Sequence, residues 1–392
     1  MLLKIRPLIM GYTILFLLGS CSPIVPTQTP LPFHNTPTLS TTASATITPS
    51  VTPRSPSGTD EIAAFVNEMG MQGQFSGVVL LAMDDTVIWE YVNGLADRES
   101  NIPNRMDTKF NLGSMNKMFT AVAILQLMEQ GKLALNDTIV QHIPDYPNAE
   151  VGNQVTIHQL LTHTSGLGDT FTEQFEANPN QYRSNEDYLP LFVHEPLQFA
   201  PGSQFSYSNA GYVVLGLIIE KVSGRSYDDY ISQSVYKPSG MVDTGAYSIE
   251  DKIPNLAIGY TTQDIRGNET GVLRRNTSMM PGKGFAAGGG YSTAEDLFNF
   301  HNALFAYKLV RPASIDLLIT GKVKIDEYSQ YAYGFFDKIE NGQRMVGHGG
   351  GAPGVCSFFN MYPETGYTII VLSNSDNDCR LVLNFLRDNP LK

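Results

Sequence analysis

From Asp60 onward, apolar stripes alternate with polar breaks at the spacings of helices and strands. Ile62, Phe65, Val66 and Met69 share one stripe, which predicts a helix over residues 60–71. Residues 75–83 and 86–92 read as two strands joined by the turn Asp84-Asp85. Residues 119–128 are apolar almost all round, the mark of a helix sunk in the core. Gly131 is its natural stop. Between about 115 and 250 the pattern is mostly helical, clearest over 211–222 and 227–236. The last third returns to strands at 344–349, 355–362 and 367–373 and closes on a helix over 377–387. Strands at both ends with helices between predict an α+β fold. Its antiparallel β-sheet is flanked by N- and C-terminal helices and split by an inserted, mainly helical subdomain. With no internal repeat, residues 59–392 are expected to form one domain.

The first 58 residues have a different texture. Lys4 and Arg6 precede an apolar run over 7–18, and Leu18-Gly19-Ser20-Cys21 follows. A basic start, a short apolar core and small residues form a secretory signal over residues 1–21. The run is short of the roughly 20 residues that span a bilayer. Leu-Gly-Ser-Cys resembles the bacterial lipobox, in which the cysteine becomes the lipidated first residue. The expectation is an exported lipoprotein, held by acyl chains on Cys21 to the outer face of the cytoplasmic membrane or within the envelope. Residues 22–58 are dominated by Pro, Thr and Ser, with Arg54 their only formal charge, and read as an extended linker.

Composition narrows the partners. The chain has 392 residues, 42% of them apolar and 10% aromatic, enough for a sizeable core. A formal charge of -12 lacks the basic patch that nucleic acid requires. Apart from Cys21 there are two cysteines, Cys356 at the start of one predicted strand and Cys379 just after the next. In an exported protein they either pair or remain as two buried thiols. No Cys/His spacing suits zinc, and His158 and His163, five apart, do not form a metal pair. Neither a phosphate loop nor a Gly-x-Ser-x-Gly elbow occurs, so no metal or cofactor is expected and an α/β-hydrolase is disfavoured.

Chemistry enters at residues 110–117, Phe-Asn-Leu-Gly-Ser-Met-Asn-Lys. Ser114 and Lys117 stand three residues apart at the mouth of the apolar helix, so hydroxyl and amine share a face. A serine nucleophile whose base is a lysine needs that spacing. The helix N-terminus favours developing negative charge, and apolar bulk around Lys117 disfavours its protonated form. A second copy, Ser234-Val-Tyr-Lys237, is followed at once by Pro238 and is expected to end a helix rather than open one. Tyr207-Ser208-Asn209 places a phenol and an amide at a loop-to-helix junction, unlike Tyr91-Val-Asn93 in a strand or Tyr146-Pro-Asn148 in a turn. Finally, residues 346–354, Val-Gly-His-Gly-Gly-Gly-Ala-Pro-Gly, let a substrate approach the backbone closely, with His348 their only ionisable side chain.

Ser114-x-x-Lys117, Tyr207-x-Asn209 and His348-x-Gly350, in that order, resemble the three motifs of the serine β-lactamase and penicillin-binding-protein superfamily. The branch it is most similar to holds class C β-lactamases, D-alanyl-D-alanine carboxypeptidases, D-aminopeptidases and family VIII esterases. Residues 110–135, 160–167, 207–224 and 286–290 read like that family as well. The resemblance implies a β-lactamase/transpeptidase-like fold and an acyl-enzyme formed on Ser114, with Lys117 taking the serine proton. Tyr207 would then relay protons to the leaving group, and Asn209, His348 and Gly350 would contact substrate. The backbone N–H groups of Ser114 and Gly351 would make the oxyanion hole. Class C β-lactamases carry Lys-Thr-Gly where this chain has His348-Gly349-Gly350. That departure favours peptidase or esterase activity over β-lactamase. His348 would serve either as a cation for a substrate carboxylate or as architecture. The substrate class is a peptide, an ester or a β-lactam, and the protein is expected to be a monomer. An inactive penicillin-recognising or wall-binding module is the alternative from another class.

Overall fold

The computed structural model describes residues 59–376 and 378–389. The signal, the lipidation site Cys21 and the linker expected over 1–58 lie outside the described residues. The centre of the fold is an eight-stranded, wholly antiparallel sheet. Its strands in chain order are β1 (Gly77–Met83), β2 (Thr86–Asn93), β3 (Val323–Lys324), β4 (Ser329–Tyr331), β5 (Phe336–Glu340), β6 (Gln343–Ala352), β7 (Val355–Tyr362) and β8 (Tyr367–Ser373). In space they run β2-β1-β8-β7-β6-β5-β4-β3. The N-terminal hairpin therefore docks directly onto the last strand, with Val79 opposite Val371 and Leu80 opposite Ile370.

The central strands have no polar face because both faces are covered. On β1, Val78 and Leu80 join one core while Val79 and Leu81 join the other. On β8, Ile370 and Leu372 divide from Ile369 and Val371 in the same way. The smaller core lies under helices α1 (Thr59–Met71) and α5 (Asp378–Asp388), whose Phe65 and Phe385 rings stack at 3.9 Å. The larger core holds α2 (Asn116–Glu129), α3 (Asn209–Ser223) and α4 (Ala294–Phe305). This is the α+β arrangement expected, with helices α1 and α5 on one side of the sheet and the helical insertion on the other. No helix among the described residues is long and apolar enough to cross a membrane.

Three departures from the sequence expectation have local causes. Strands β3 to β5 are short and partly polar, so alternation is too brief to see. The hairpin Tyr260–Gln263 with Glu269–Arg275 carries a fully exposed second strand and has no buried stripe to report it. Beyond Tyr227–Ile231 the helix does not stop before Pro238. It widens into a π-turn over Ser232–Tyr236, and a final turn over Lys237–Ser239 ends at Gly240 in a left-handed conformation. Pro238 offers no N–H to the Ser234 carbonyl four residues back, and Gln126 Nε2 donates to that carbonyl instead at 2.8 Å. Lys237 remains exposed.

Cys356 and Cys379 are joined by a disulfide, with Cα atoms 5.8 Å apart, and so fasten α5 to the start of β7. Closing a loop of that separation, 23 residues, restricts the unfolded chain by an amount worth about 3 kcal/mol. Replacing both cysteines by serine is expected to lower the unfolding free energy by about that much in urea titrations. Reductant should destabilise the wild type and leave the double variant unchanged.

Candidate active site

Ser114 sits in a single 3-10 turn, Gly113–Met115, that feeds straight into α2. Gly113 holds φ at +50°, a left-handed value that costs glycine little. The turn is fastened on both sides. Leu112 N–H donates to the Gly290 carbonyl (2.7 Å) and Gly289 N–H to the Gly113 carbonyl (3.2 Å). Ser357 Oγ on β7 donates to the Leu112 carbonyl at 2.9 Å. Glycines make this closeness feasible. A Cβ on Gly350 would stand 1.9 Å from the Leu112 carbonyl oxygen, and one on Gly113 would stand 2.8 Å from the Gly351 nitrogen. Strand β6 thus lies backbone to backbone against the Ser114 turn, bringing Gly351 beside it.

Lys117, one turn on, is fully buried. Its Nζ lies 2.7 Å from Asn209 Oδ1, 2.6 Å from the Ala287 carbonyl and 3.2 Å from Ser114 Oγ. Burial drives its pKa down to about 7, and the Asp169 carboxylate partly opposes that fall. Near neutrality a large fraction of the amine is therefore uncharged. An uncharged amine has two N–H donors and one lone pair. Asn209 Oδ1 and the Ala287 carbonyl can only accept, so they take both donors. The lone pair is left for the Ser114 hydroxyl.

Tyr207 and Asn209 reach the same point from the start of α3. Ser208 caps that helix, its Oγ accepting from Gly211 N–H at 3.3 Å. His163 grips the preceding loop on both sides of Tyr207. Its carbonyl accepts Ser206 N–H (2.9 Å), its Nδ1 accepts Ser208 N–H (3.1 Å), and its ring packs on the Tyr207 ring at 4.2 Å. The Tyr207 ring faces Lys117 Nζ at 4.8 Å. Its hydroxyl is buried without a completed hydrogen bond. Burial raises its pKa far above the usual phenol range, an effect that contact with Ser114 only partly offsets. Tyr207 therefore keeps its proton at neutral pH.

His348 does not carry charge into this site at neutral pH. Its ring is buried against Tyr331, Phe336 and Tyr207. Burial first, then the Lys117 charge, push its pKa down to about 3. Nδ1–H donates to the Gly349 carbonyl, which leaves Nε2 to accept from the Tyr331 hydroxyl at 3.1 Å. Of the two roles left open by the sequence, this geometry has the features of the architectural one. Gly350, expected to contact substrate, has close packing against Leu112 as its visible role.

A cavity of about 330 Å³ opens over Ser114, Asn209 and Gly351. Its walls are largely apolar, with Phe171, Phe175, Ile265, Met280, Phe285 and Val355 among them. Two charged residues line it, and both are engaged. Arg266 pairs with Glu176 at 2.6 Å, with Glu173 at 3.9 Å, and Asp376 accepts from Gly354 and Thr262 N–H groups at 2.7 and 2.9 Å. Among the described residues no group of His, Cys, Asp and Glu could hold a metal ion. Sequence reasoning missed Asp169, the Ala287 carbonyl and Arg266. Two of them left a trace: Asp169 stands two residues past the family-like stretch 160–167, and Ala287 lies inside the stretch 286–290.

An antiparallel sheet with serine, lysine and tyrosine converging beside its glycine-rich strand defines the class of serine hydrolases that work through an acyl-enzyme. The chain belongs to the beta-lactamase family, whose model matches residues 62–388. It is 33% identical to penicillin-binding protein 4* of Bacillus subtilis over 79% of this chain and 70% of that protein. A penicillin-binding protein from Bacillus halodurans has a similar structure, with a TM-score of 0.74 and 32% identity over 82% of this chain and 98% of that one. D-amino acid amidase from Ochrobactrum anthropi, in complex with L-phenylalanine, superposes with a TM-score of 0.70 and 25% identity, covering 81% and 92% of the two chains.

Gly350→Ala tests the close approach of β6 to the Ser114 turn. The added methyl forces the two backbones apart, so a loss of about 1–3 kcal/mol in stability is expected. Turnover should fall well beyond what that loss explains, because the Gly351 N–H moves with the strand. Thermal unfolding and kcat/KM measured on the same preparation check both. Unchanged turnover would remove β6 from the site.

Proposed function

We propose that the protein is an exported, lipid-anchored serine hydrolase whose acyl-enzyme forms on Ser114. The observation that carries this reading is the buried Lys117 amine, both N–H donors engaged and its lone pair beside the serine hydroxyl at 3.2 Å. In the mechanism, Ser114 Oγ attacks the substrate carbonyl carbon while its proton passes to Lys117. Charge on the carbonyl oxygen is met by the N–H groups of Ser114 and Gly351; each such donor is commonly worth about 3 kcal/mol in the transition state. Tyr207 gives its proton to the departing amine or alcohol and recovers one from the Lys117 ammonium. Water then attacks the ester carbon and gives a proton to Lys117; the bond to Ser114 Oγ breaks, the acid leaves, and Lys117 returns the proton to Oγ.

The substrate we favour is a D-amino-acid peptide or amide, or a small ester, with an apolar acyl side chain. The apolar cavity wall supports the side chain, and relatives that include penicillin-binding proteins and a D-amino acid amidase support the peptide or amide. Recognition of a carboxylate is less well supported, since Arg266 is already paired and buried His348 is neutral. That counts against efficient β-lactamase activity.

Intact mass spectrometry provides the test. Wild type should gain a covalent adduct from a fluorophosphonate and from a p-nitrophenyl ester, and should hydrolyse D-amino-acid amides or peptides faster than nitrocefin. Ser114→Ala should gain no adduct. Rapid nitrocefin turnover would make the protein a β-lactamase, and no adduct from any acyl donor would make it a binding module.

Export is supported by the sequence of residues 1–21 and by the Cys356–Cys379 disulfide, which suits an oxidising compartment. Cells expressing the full chain should incorporate labelled palmitate into it, and Cys21→Ala should abolish the label. Equal labelling of both would remove the anchor from the proposal.

A further inference from the structure

The amide of Asn209 could face Lys117 with either end. With Oδ1 toward the lysine, Lys117 must donate to it. With Nδ2 toward the lysine, an uncharged amine would accept instead, and its lone pair would be spent on Asn209 rather than Ser114. Nothing in Lys117 itself chooses between the two. Asp169 does choose. Its Oδ1, which can only accept, takes Asn209 Nδ2–H at 3.0 Å, so Oδ1 of the amide is turned to Lys117 at 2.7 Å. The loop around Asp169 is held to the same helix start, because Ser208 Oγ donates to the Gly168 carbonyl. Thr170 N–H donates to Asp169 Oδ1 at 2.6 Å, which fixes the carboxylate in turn.

Resting on the acyl-enzyme reading above, we infer that Asp169 is a positioning residue. It sets the polarity of the Asn209 amide and thereby aims the Lys117 lone pair at Ser114. Asp169 touches no reacting atom in this scheme; it acts through Asn209.

A second consequence is electrostatic. The groups around Lys117 are the Tyr207 and Tyr212 rings, His163, His348 and Asp169. Burial holds both histidines neutral and both tyrosines protonated near pH 7. The Asp169 carboxylate is thus the charge that supports the lysine cation. Removing it lets Lys117 lose its proton at lower pH.

The experiment is the pH dependence of fluorophosphonate labelling at Ser114. In wild type the rate should rise through a midpoint near 7, where Lys117 becomes uncharged. In Asp169→Asn, which keeps an acceptor but not the charge, the midpoint should move down by about half a pH unit or more with little loss of plateau rate. Asp169→Ala loses the acceptor as well, so its plateau should fall about tenfold, the worth of one hydrogen bond. In an Asn209→Ala background that plateau loss should vanish, because there is no amide left to orient. Asp169→Glu should restore the wild-type midpoint.

An unmoved midpoint in Asp169→Asn overturns the inference, as does a tenfold loss that persists in the Asn209→Ala background. Both would occur in a chain whose wild type still labels, so the acyl-enzyme reading would stand. A wild type that never labels would sink that reading and the inference together.

Discussion

Taking one amine out of water governs how this molecule is built. A protonated lysine cannot be buried cheaply, so the protein either supplies a full set of partners or lets the group give up its proton. Around Lys117 it does some of both. Two acceptors, Asn209 Oδ1 and the Ala287 carbonyl, sit within 2.7 Å, while burial lowers the pKa to about 7. Each partner comes from a different part of the chain, so the insertion must pack correctly before Lys117 is satisfied. The uniform apolarity of α2 follows, since a helix carrying this residue needs cover on every side.

Glycine is the second requirement. The segment Ala286–Gly290 supplies a carbonyl to Lys117 and another to the Thr120 hydroxyl at 2.7 Å. A Cβ on Gly290 would stand 2.4 Å from Asn116 Oδ1. With β6 pressed on the other side, the Ser114 turn is enclosed largely by backbone. Main-chain hydrogen bonds to Gly289 and Gly290 hold it, together with two side-chain bonds, Gly113 N–H to Asn111 Oδ1 at 2.9 Å and Ser357 Oγ to the Leu112 carbonyl.

Much of this was legible in the sequence for a physical reason. The strands β1, β2, β7 and β8 are long and rich in β-branched or aromatic residues, and α2 and α3 are long and apolar, so the pattern reports them. Ser114, Lys117, Tyr207 and Asn209 each stand where a loop enters such a helix, and side-chain spacing along a helix is readable. Asp169 was not readable, because it meets Asn209 across 40 residues of irregular chain. The Ala287 contribution is a carbonyl, which no residue type announces. The pairing of Arg266 with Glu176 joins an exposed hairpin to a short helix and leaves no period in the chain. The charge state of His348 depends on burial, which the motif alone does not encode.

The pairing of β1 with β8 bears on when the chain can fold. Gly77 is opposite Ser373 and Met83 is opposite Tyr367, so the central sheet joins residues nearly a full domain apart. Contacts this distant in sequence form late and slowly. A growing chain has its first hairpin early, yet that hairpin lacks its partner until the last strand has been made. Until then strands β3 to β7 can pair among themselves, but the hairpin has no strand to dock on. The strand order that builds the site thus also delays its assembly until synthesis is nearly over.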